Sequence, residues 1–440
     1  MMQGSDTRAA AEPSVKGWCP GALRPMASGD GLVVRVRARS GALPLAGLAA
    51  LADAATRFGN GHIDVTRRAN LQLRGVSEAT LPALLDELRR LGLLDASPDA
   101  EAVRNIMVAP LSGLDPTAAD VRGIVRGLEL LLAGDPRLHA LPGKFGYVVC
   151  GGGTLPVAGE EADIAVAAAP GAGTASIGIA RAARWHWLGR VPLAVAAEAV
   201  RVVALAFQHG REPHERGRLR NAPPDVVQRI EAALAHLVMP MIAAPVVQQL
   251  GARIGALRLG PDTHVVGVGA PFGRLEAAQL RRLVAGLEAG GASEVRLSPW
   301  RVLYAAVRDA TAASDVLAAA ADAGFITEAA DPLSRLEACP GKPDCPSASL
   351  DTRGPARLVA SALPGSGFTG TVHVSGCRKG CARSQPAALT LVADGAVYRV
   401  IRDGTAADEP CATLSPQELA AAPARVLRPF LAPTRHEPAA

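Results

Sequence analysis

Seven cysteines occur in this 440-residue chain, and four of them form two close pairs, Cys339-PGKPD-Cys345 and Cys377-RKG-Cys381. Four thiolates converging from two short loops are what a four-iron–four-sulfur cubane needs, because each binds a different corner of a small cube. Glycine and proline surround both pairs, in ACPGKPDCP and SGCRKGCAR. Glycine lets a backbone approach closely and aim N–H groups at the sulfurs, and Arg378 and Lys379 stand ready to offset the negative charge. Zinc and plain core thiols are the alternatives. Structural zinc favours gaps of about two to four residues within a pair, so the five-residue gap counts against it. Cys19, Cys150 and Cys411 stand alone, and each is expected to be a packed thiol.

Basic residues supply the second chemistry. Arg35, Arg37 and Arg39 alternate along GLVVRVRAR, a spacing that would send them to one face of a strand. Arg216, Arg218 and Arg220 repeat the pattern in HERGRLRN. Such rows line an anionic ligand or form a solvated face, and alternation alone leaves both open. A mononuclear iron site would call for two histidines and a carboxylate. The only local groupings of that kind are His62 with Asp64, and His209 with His214 and Glu215; for any one of these histidines a surface or core role is the default. GVGAPFG, from Gly267, has the wrong spacing for a dinucleotide fingerprint.

The elements that must position these groups repeat. Shifting the chain by 232 residues lays Val33, Val34 and Val36 on Val265, Val266 and Val268, and Leu43, Leu48 and Leu51 on Leu275, Leu280 and Leu283. Each copy reads as strand, helix and paired strands. A second repeat joins YVVCGGG, from Tyr147, to VHVSGCRKG, from Val372, each a strand entering a glycine-rich turn. The order A–B–A′–B′ predicts an α+β fold of two small half-domains, 15–76 and 246–308, alternating with two larger α+β domains, 77–245 and 309–440. The last of these carries the paired cysteines, and a ligand site is expected where the halves meet.

Hydrophobic residues make up 49% of the chain and aromatics only 3%, so alanine, leucine and valine must build the core. The run VPLAVAAEAVRVVALAF from Val191 carries Glu198 and Arg201, which are costly in lipid, so a buried helix is expected there and no membrane span. The opening MMQGSDTRAAAEPSV lacks the apolar core of a secretion signal. A cytoplasmic location is expected, where thiols stay reduced. A net charge of +5 without a basic run interleaved with aromatics gives no sign of nucleic acid.

The cysteine pairs, with gaps of five and three residues, together with the doubled pair of modules, resemble the nitrite/sulfite reductase superfamily. That resemblance covers residues 16 to about 400. Within it, the opening KGWCPGALRPMASGDGLVVRVR and the loop HVSGCRKGCARS are similar to the precorrin-3B synthase family of aerobic cobalamin synthesis. The superfamily's anion-binding motifs map onto Thr66, Arg68 and Gln72 in TRRANLQ, with Ala69 in place of a glutamine. They continue at Arg104 and Asn105 in VRNIMVAP, and at Lys144 in LPGKFG, where Gly143 and Gly146 replace basic residues.

The resemblance implies a monooxygenase that hydroxylates precorrin-3A with dioxygen and closes a γ-lactone. Arg68, Gln72, Arg104, Asn105 and Lys144 would bind this polycarboxylate tetrapyrrole. It further implies a 4Fe-4S cluster on Cys339, Cys345, Cys377 and Cys381, a mononuclear non-haem iron, and a separate NAD(P)H-dependent electron donor. The alternative is a siroheme-dependent nitrite or sulfite reductase. Loss of a basic position from LPGKFG speaks against a small oxyanion.

Overall fold

The structure, a computed structural model, describes residues 19–182, 184–241, 243–245 and 251–431. The opening segment read for a secretion signal, and the first residues of the half-domain drawn from residue 15, lie outside the described residues. Among those described, one compact unit takes 19–27 and 31–329, and a second takes 28–30 and 330–431.

The 232-residue repeat is visible in the backbone of the larger unit. Strands Gly31–Val36, Leu71–Val76 and His62–Val65 lie side by side, as do His264–Gly269, Val302–Val307 and Glu294–Leu297. Each set is closed by a strand from the other copy. Arg274–Glu276 pairs with His62–Val65, placing Leu275 opposite Ile63, and Ala42–Pro44 pairs with Glu294–Leu297, placing Leu43 opposite Val295. This reciprocal exchange follows a local twofold. It fuses the two halves into one core in which helices Leu45–Phe58 and Ala277–Ala289 pack together.

Both helices form for the same reason. Leu48, Leu51, Ala52 and Ala55, like Leu280, Leu283, Val284 and Leu287, recur at three- and four-residue spacing and are buried. The repeat reaches unusual backbone as well. Ser40 and Phe272 both adopt left-handed angles (φ 50° and 57°), and so do Ala69 and Arg301 (φ 52° and 61°).

The second repeat appears as two sheets of one topology. Ile106–Val108, Tyr147–Cys150 and Ile164–Ala168 run parallel, and Thr174–Arg181 and Arg184–Pro192 follow antiparallel. In the smaller unit Leu336–Ala338, Val372–Ser375 and Ala387–Asp394 run parallel, followed antiparallel by Val397–Gly404 and Ala412–Leu414. Central parallel strands are buried on both faces, which explains the apolar run YVVC and the complete burial of VHVS, His373 and Ser375 included.

The apolar run from Val191 completes a strand and then forms helix Ala196–Gln208. Glu198 and Arg201 pair along one side of this helix (2.7 Å), away from the buried Ala199, Val200, Val203 and Phe207. Among the described residues no helix is long and apolar enough to cross a membrane.

Leu43 and Leu275 are each 1% exposed on three-residue strands. Leu43→Ala and Leu275→Ala are each expected to cost about 2–5 kcal/mol in urea denaturation. A loss below about 1 kcal/mol would show that the exchanged strands are decoration on two independently stable halves.

Candidate functional site

The cysteine pairs owe their placement to the parallel sheet of the smaller unit. Strands Leu336–Ala338 and Val372–Ser375 are adjacent and parallel, with Ala338 opposite Val374. Cys339 and Cys377 follow their carboxyl ends, the usual place for ligand loops in such sheets. The two loops are knitted together. Gly376 N–H donates to Cys339 Sγ (3.1 Å), Ser349 N–H donates to the Gly376 carbonyl (3.1 Å), and Cys345 N–H donates to the Gly341 carbonyl (2.8 Å).

Two glycines are fixed by space. A Cβ on Gly341, which sits at φ 67°, would meet Thr352 Oγ1 at 2.7 Å, and one on Gly376 would meet Ala348 Cβ at 2.6 Å. Burial pushes the Cys339 thiol up; the N–H groups of Gly376 and Gly341 oppose that, and Cys345 and Cys377 add to it. The Cys381 thiol, open on one side and walled by protein on the other, is pushed up to about 11. That wall is the chief cause; Lys379 pulls it down, and Cys339, Cys377 and Cys345 push it further up.

Cys381 therefore feels the other three thiols, and Cys339 feels Cys345 and Cys377. Yet among the described residues no three His, Cys, Asp or Glu side chains stand close enough for a single metal ion. Arg378 does not take the role expected of it: it donates to the Ala407 carbonyl (2.8 Å), leaving Lys379 as the cation beside the thiols.

The isolated cysteines divide. Cys150 is buried and accepts from Gly152 N–H (3.4 Å). Cys411, expected to be packed, is exposed. Cys19 is half-buried and lies in the electrostatic neighbourhood of Arg68.

The motif residues lie in the larger unit, and the structure sorts them into two groups. Arg104 is 4% exposed and its guanidinium is consumed. It donates to Asp95 from Nε and Nη2 (both 2.9 Å), to Glu129 from Nη1 (3.3 Å) and to the Arg37 carbonyl (3.1 Å). Asn105 donates to the Ala102 and Phe145 carbonyls (2.7 and 3.0 Å) and accepts from Arg37 (3.4 Å). The groups expected to bind ligand at Arg104 and Asn105 are engaged within the fold: Asp95, Glu129 and a backbone carbonyl take the donors of Arg104, and two backbone carbonyls and Arg37 take Asn105.

Arg35, Arg37 and Arg39 do not share a face either. The strand ends at Val36 and the chain leaves the sheet, so Arg37 meets Glu101 (3.2 Å) and Arg39 meets Asp95 (2.9 Å). Burial and the neighbouring Arg35 pull Arg37 down to about 10. Glu101 also accepts from the N–H groups of Ala22 and Leu23, which fixes the loop carrying Cys19.

The other group has unused donors. Thr66 Oγ1 accepts from the N–H groups of Arg68 and Asn70 (both 3.2 Å), closing a turn that presents Arg68. The Arg68 side chain has no hydrogen-bond or ion-pair partner among the described residues. Its pKa is lowered by burial first and then by Arg218, with Arg35 adding a smaller push. Arg35 faces Gln72 across the sheet, and with the Gln72 amide oxygen turned inward it donates from Nε (3.2 Å) and Nη2 (2.9 Å). Arg35 Nη1 is left buried without a partner, as is Arg218 Nη2.

Arg218 is held by Asp163, whose fully buried carboxylate accepts from Arg218 Nε (2.7 Å), Leu219 N–H (3.1 Å) and Gly146 N–H (2.9 Å). Of its neighbours in sequence, Arg216 is exposed and Arg220 pairs with Glu161 (3.2 Å). Lys144 is exposed. Asp163 was missed by sequence reasoning, and only the glycine at position 146 hinted that something else occupied its surroundings.

Neither histidine grouping forms an iron site. Asp64 is taken by Arg274 and Arg74, and His62 contacts Asn60. His209 and His214 are exposed, while Glu215 pairs with Arg211 (3.1 Å). The residues named from sequence do not fit a mononuclear iron.

The doubled half-domains, the twin sheets and the paired cysteine loops are the plan of the nitrite/sulfite reductases. Residues 24–91 match the nitrite/sulfite reductase ferredoxin-like half domain. The structure is similar to that of the NirA protein of Mycobacterium tuberculosis (TM-score 0.73, 22% identity, 93% of this chain and 82% of that one). A ferredoxin–nitrite reductase of Synechococcus elongatus is 27% identical over 84% of this chain and 77% of its own length. A precorrin-3B synthase of Sinorhizobium sp. is 32% identical over 94% of this chain and 88% of its own length. The chain belongs to the precorrin-3B synthase family of the nitrite/sulfite reductase superfamily.

The two groups of arginines should respond oppositely to mutation. Arg104→Gln takes their buried cation from Asp95 and Glu129, leaving Asp95 only Arg39 and Glu129 only the Ser40 side of its contacts, and is expected to cost about 3 kcal/mol in urea unfolding. Arg68→Gln removes an unpaired, partly desolvated cation, so its unfolding midpoint should match or exceed that of wild type. A destabilised Arg68→Gln would mean that the guanidinium is structural.

Asp95 adds a pH test. Burial alone would raise its pKa, but Arg104, Arg39 and Arg37 hold it below the usual value. Its contribution is therefore complete above about pH 4 and is lost as pH falls through the folded value. Stability of Asp95→Asn should fall less steeply than that of wild type below that pH.

Proposed function

We propose that this chain is an iron–sulfur monooxygenase of the precorrin-3B synthase type, hydroxylating precorrin-3A with dioxygen and forming a γ-lactone. The observation that carries this reading is the group Arg68, Arg35 and Arg218. Three cations with donors left over in partly dry surroundings call for an anion, because a buried charge without a partner is costly. A tetrapyrrole rimmed with acetates and propionates supplies carboxylates that pair with planar guanidinium forks. Membership of the family over nearly the whole chain points to the same substrate class.

Cys339, Cys345, Cys377 and Cys381 are the residues we assign to a four-iron–four-sulfur cluster. Bound there, it supplies electrons one at a time, which side chains do poorly. The loop N–H groups that point at sulfur, with Lys379, would balance the charge of such a group. In the overall reaction dioxygen takes two electrons and two protons; one oxygen enters the substrate as hydroxyl and the other leaves as water. The electrons come from a separate NAD(P)H-dependent donor. No step is assigned to a second iron, for which the chain offers no fitting ligands among the residues considered. Arg68, with Gln72 bracing Arg35, orients the substrate by its carboxylates, while Lys144 stands exposed as a further cation for its rim.

A second reading, a siroheme-dependent nitrite or sulfite reductase, is favoured by the likeness to the nitrite reductase of Synechococcus. Anaerobic absorption spectra separate the two. The monooxygenase reading expects a broad iron–sulfur shoulder and, with precorrin-3A, reductant and labelled dioxygen, one heavy oxygen in the product. A Soret band with sulfite-dependent electron uptake would sink it. Cys377→Ser should lose iron and acid-labile sulfide, and unchanged contents of both would refute the ligand assignment.

A further inference from the structure

We propose that the cavity beside helix Arg122–Gly134 is a second ligand site, binding an aliphatic carboxylate with Arg126 and Arg39 at its head and Leu130 along its chain. The site is separate from the cation group, since none of Arg35, Arg68, Gln72 or Arg218 lines it. It does not rest on the function proposed above.

The cavity has a volume of about 810 Å³, within the range of small-ligand sites. Arg126, Glu129, Leu130 and Ala133, three and four residues apart, form one wall. Ile124, Val125, Leu128 and Leu132 of the same helix go to the core instead. Leu23, Leu94 and Ala96 complete the apolar lining. Leu130 is 74% exposed, and only it and Met239 are exposed large hydrophobic side chains among the described residues. A leucine held out in water is stabilised by any apolar body laid over it.

The acids of the cavity are spent. Asp95 is taken by Arg104 and Arg39, and Glu129 by Arg104 and the Ser40 N–H. The cations are not. Arg126 is exposed and has no hydrogen-bond or ion-pair partner among the described residues. Arg39, with its side chain 41% exposed, gives Nη1 to Asp95 and only a long bond from Nη2 (3.4 Å) to the Leu94 carbonyl. Arg89 pairs with Asp86 one turn away, an exposed pair of small worth.

A smaller cavity of about 260 Å³ adjoins the first and shares Arg39, Ser40 and Arg126 with it. Its other arginines are occupied: Arg122 by Asp120, and Arg296 by Glu294 and the Pro110 and Ser112 carbonyls. Arg126 and the exposed side of Arg39 therefore stand at the waist between the cavities. An anionic head belongs there, which leaves the larger cavity for the body. The turn itself does not call for arginine at position 39. The 232-residue shift lays Pro271 on it, while Ser40 and Phe272 keep the same left-handed backbone.

The lining narrows the ligand class. Arginine pairs a carboxylate through parallel N–H bonds. An inorganic anion would leave Leu130 uncovered, and a neutral alcohol would leave Arg126 unpaired. Among the described lining residues none is aromatic, so the wall of leucine and alanine suits a chain over a stacked ring. A protein partner would need an interface of roughly 800 Å² a side, far more than one exposed leucine offers.

Isothermal titration of the holoprotein with sodium decanoate tests the site, with acetate as the head alone and decan-1-ol as the chain alone. Wild type is expected to bind decanoate, and to bind acetate and decan-1-ol about tenfold more weakly or less. Arg126→Gln removes the head contact and Leu130→Asp sets a like charge beside the chain, so each should weaken decanoate binding about tenfold. Both positions are exposed, and thermal midpoints check that the variants fold. Arg68→Gln should bind decanoate within about twofold of wild type. Affinity kept within about twofold in both Arg126→Gln and Leu130→Asp overturns the site, as does a wild type that binds no decanoate. Binding lost in Arg68→Gln but kept in Arg126→Gln also overturns it, and acetate or decan-1-ol binding as tightly as decanoate overturns the ligand class.

Discussion

The reciprocal strand exchange is the constraint on which the rest of the larger unit depends. Ala42–Pro44 completes the sheet of the second half-domain, and Arg274–Glu276 completes that of the first. A three-residue strand cannot hold a separate domain in place by itself. Here each carries a leucine into a shared core, so neither half can close its apolar face without the other. Strand Leu71–Val76, which bears Gln72, and strand Gly31–Val36, which bears Arg35, are inner members of this arrangement. Their register fixes Arg35 opposite Gln72.

Charge placement then follows two opposite rules within a few residues. Arg104 is surrounded by Asp95 and Glu129, so its burial is compensated and it acts as a brace. Arg68, from the same set of motifs, is paired with no acid among the described residues; burial and then Arg218 lower its pKa, with Cys19 and Asp163 acting against them. Both are partly or fully withdrawn from water, so the difference lies in which partner the fold provides. Where the fold provides one, the charge stabilises the fold; where it withholds one, the charge is a cost to the fold.

Much of the architecture was legible because repetition and periodicity are written locally. The match of Leu48 and Leu51 to Leu280 and Leu283 locates both core helices, whereas the exchanged strands at Leu43 and Leu275 appear only in the structure. The cysteine loops were legible for a similar reason: the pairs flank turns that follow apolar strands. The candidate anion site was half legible. Arg68 and Gln72 stand in a turn and a strand whose local sequence sets their direction. The partners that engage Arg104 and Asn105 were not legible because they come from other elements: Asp95 and Glu129 for Arg104, Arg37 and Phe145 for Asn105. The row Arg35, Arg37 and Arg39 failed because alternation holds only while a strand lasts, and this one stops at Val36. Asp163 could not be picked out, because the groups it holds, Gly146, Arg218 and Leu219, lie far from it in sequence.

Comparison of the two copies shows which features the fold must keep. Ser40 and Phe272 share no chemistry, and neither do Ala69 and Arg301, yet each pair holds the same left-handed backbone. For residues with a Cβ that conformation costs about 1–2 kcal/mol each, so its retention in both copies marks a requirement of the path. In the first copy Ser40 N–H reaches Glu129 (3.0 Å), and the turn through Ala69 presents Arg68. The same division separates the twin sheets. Both deliver glycine-rich turns from the ends of parallel strands, but only Val372–Ser375 and its neighbour Leu336–Ala338 lead into paired cysteines. Backbone geometry was duplicated as a unit, and the chemistry was then fitted to one copy at a time.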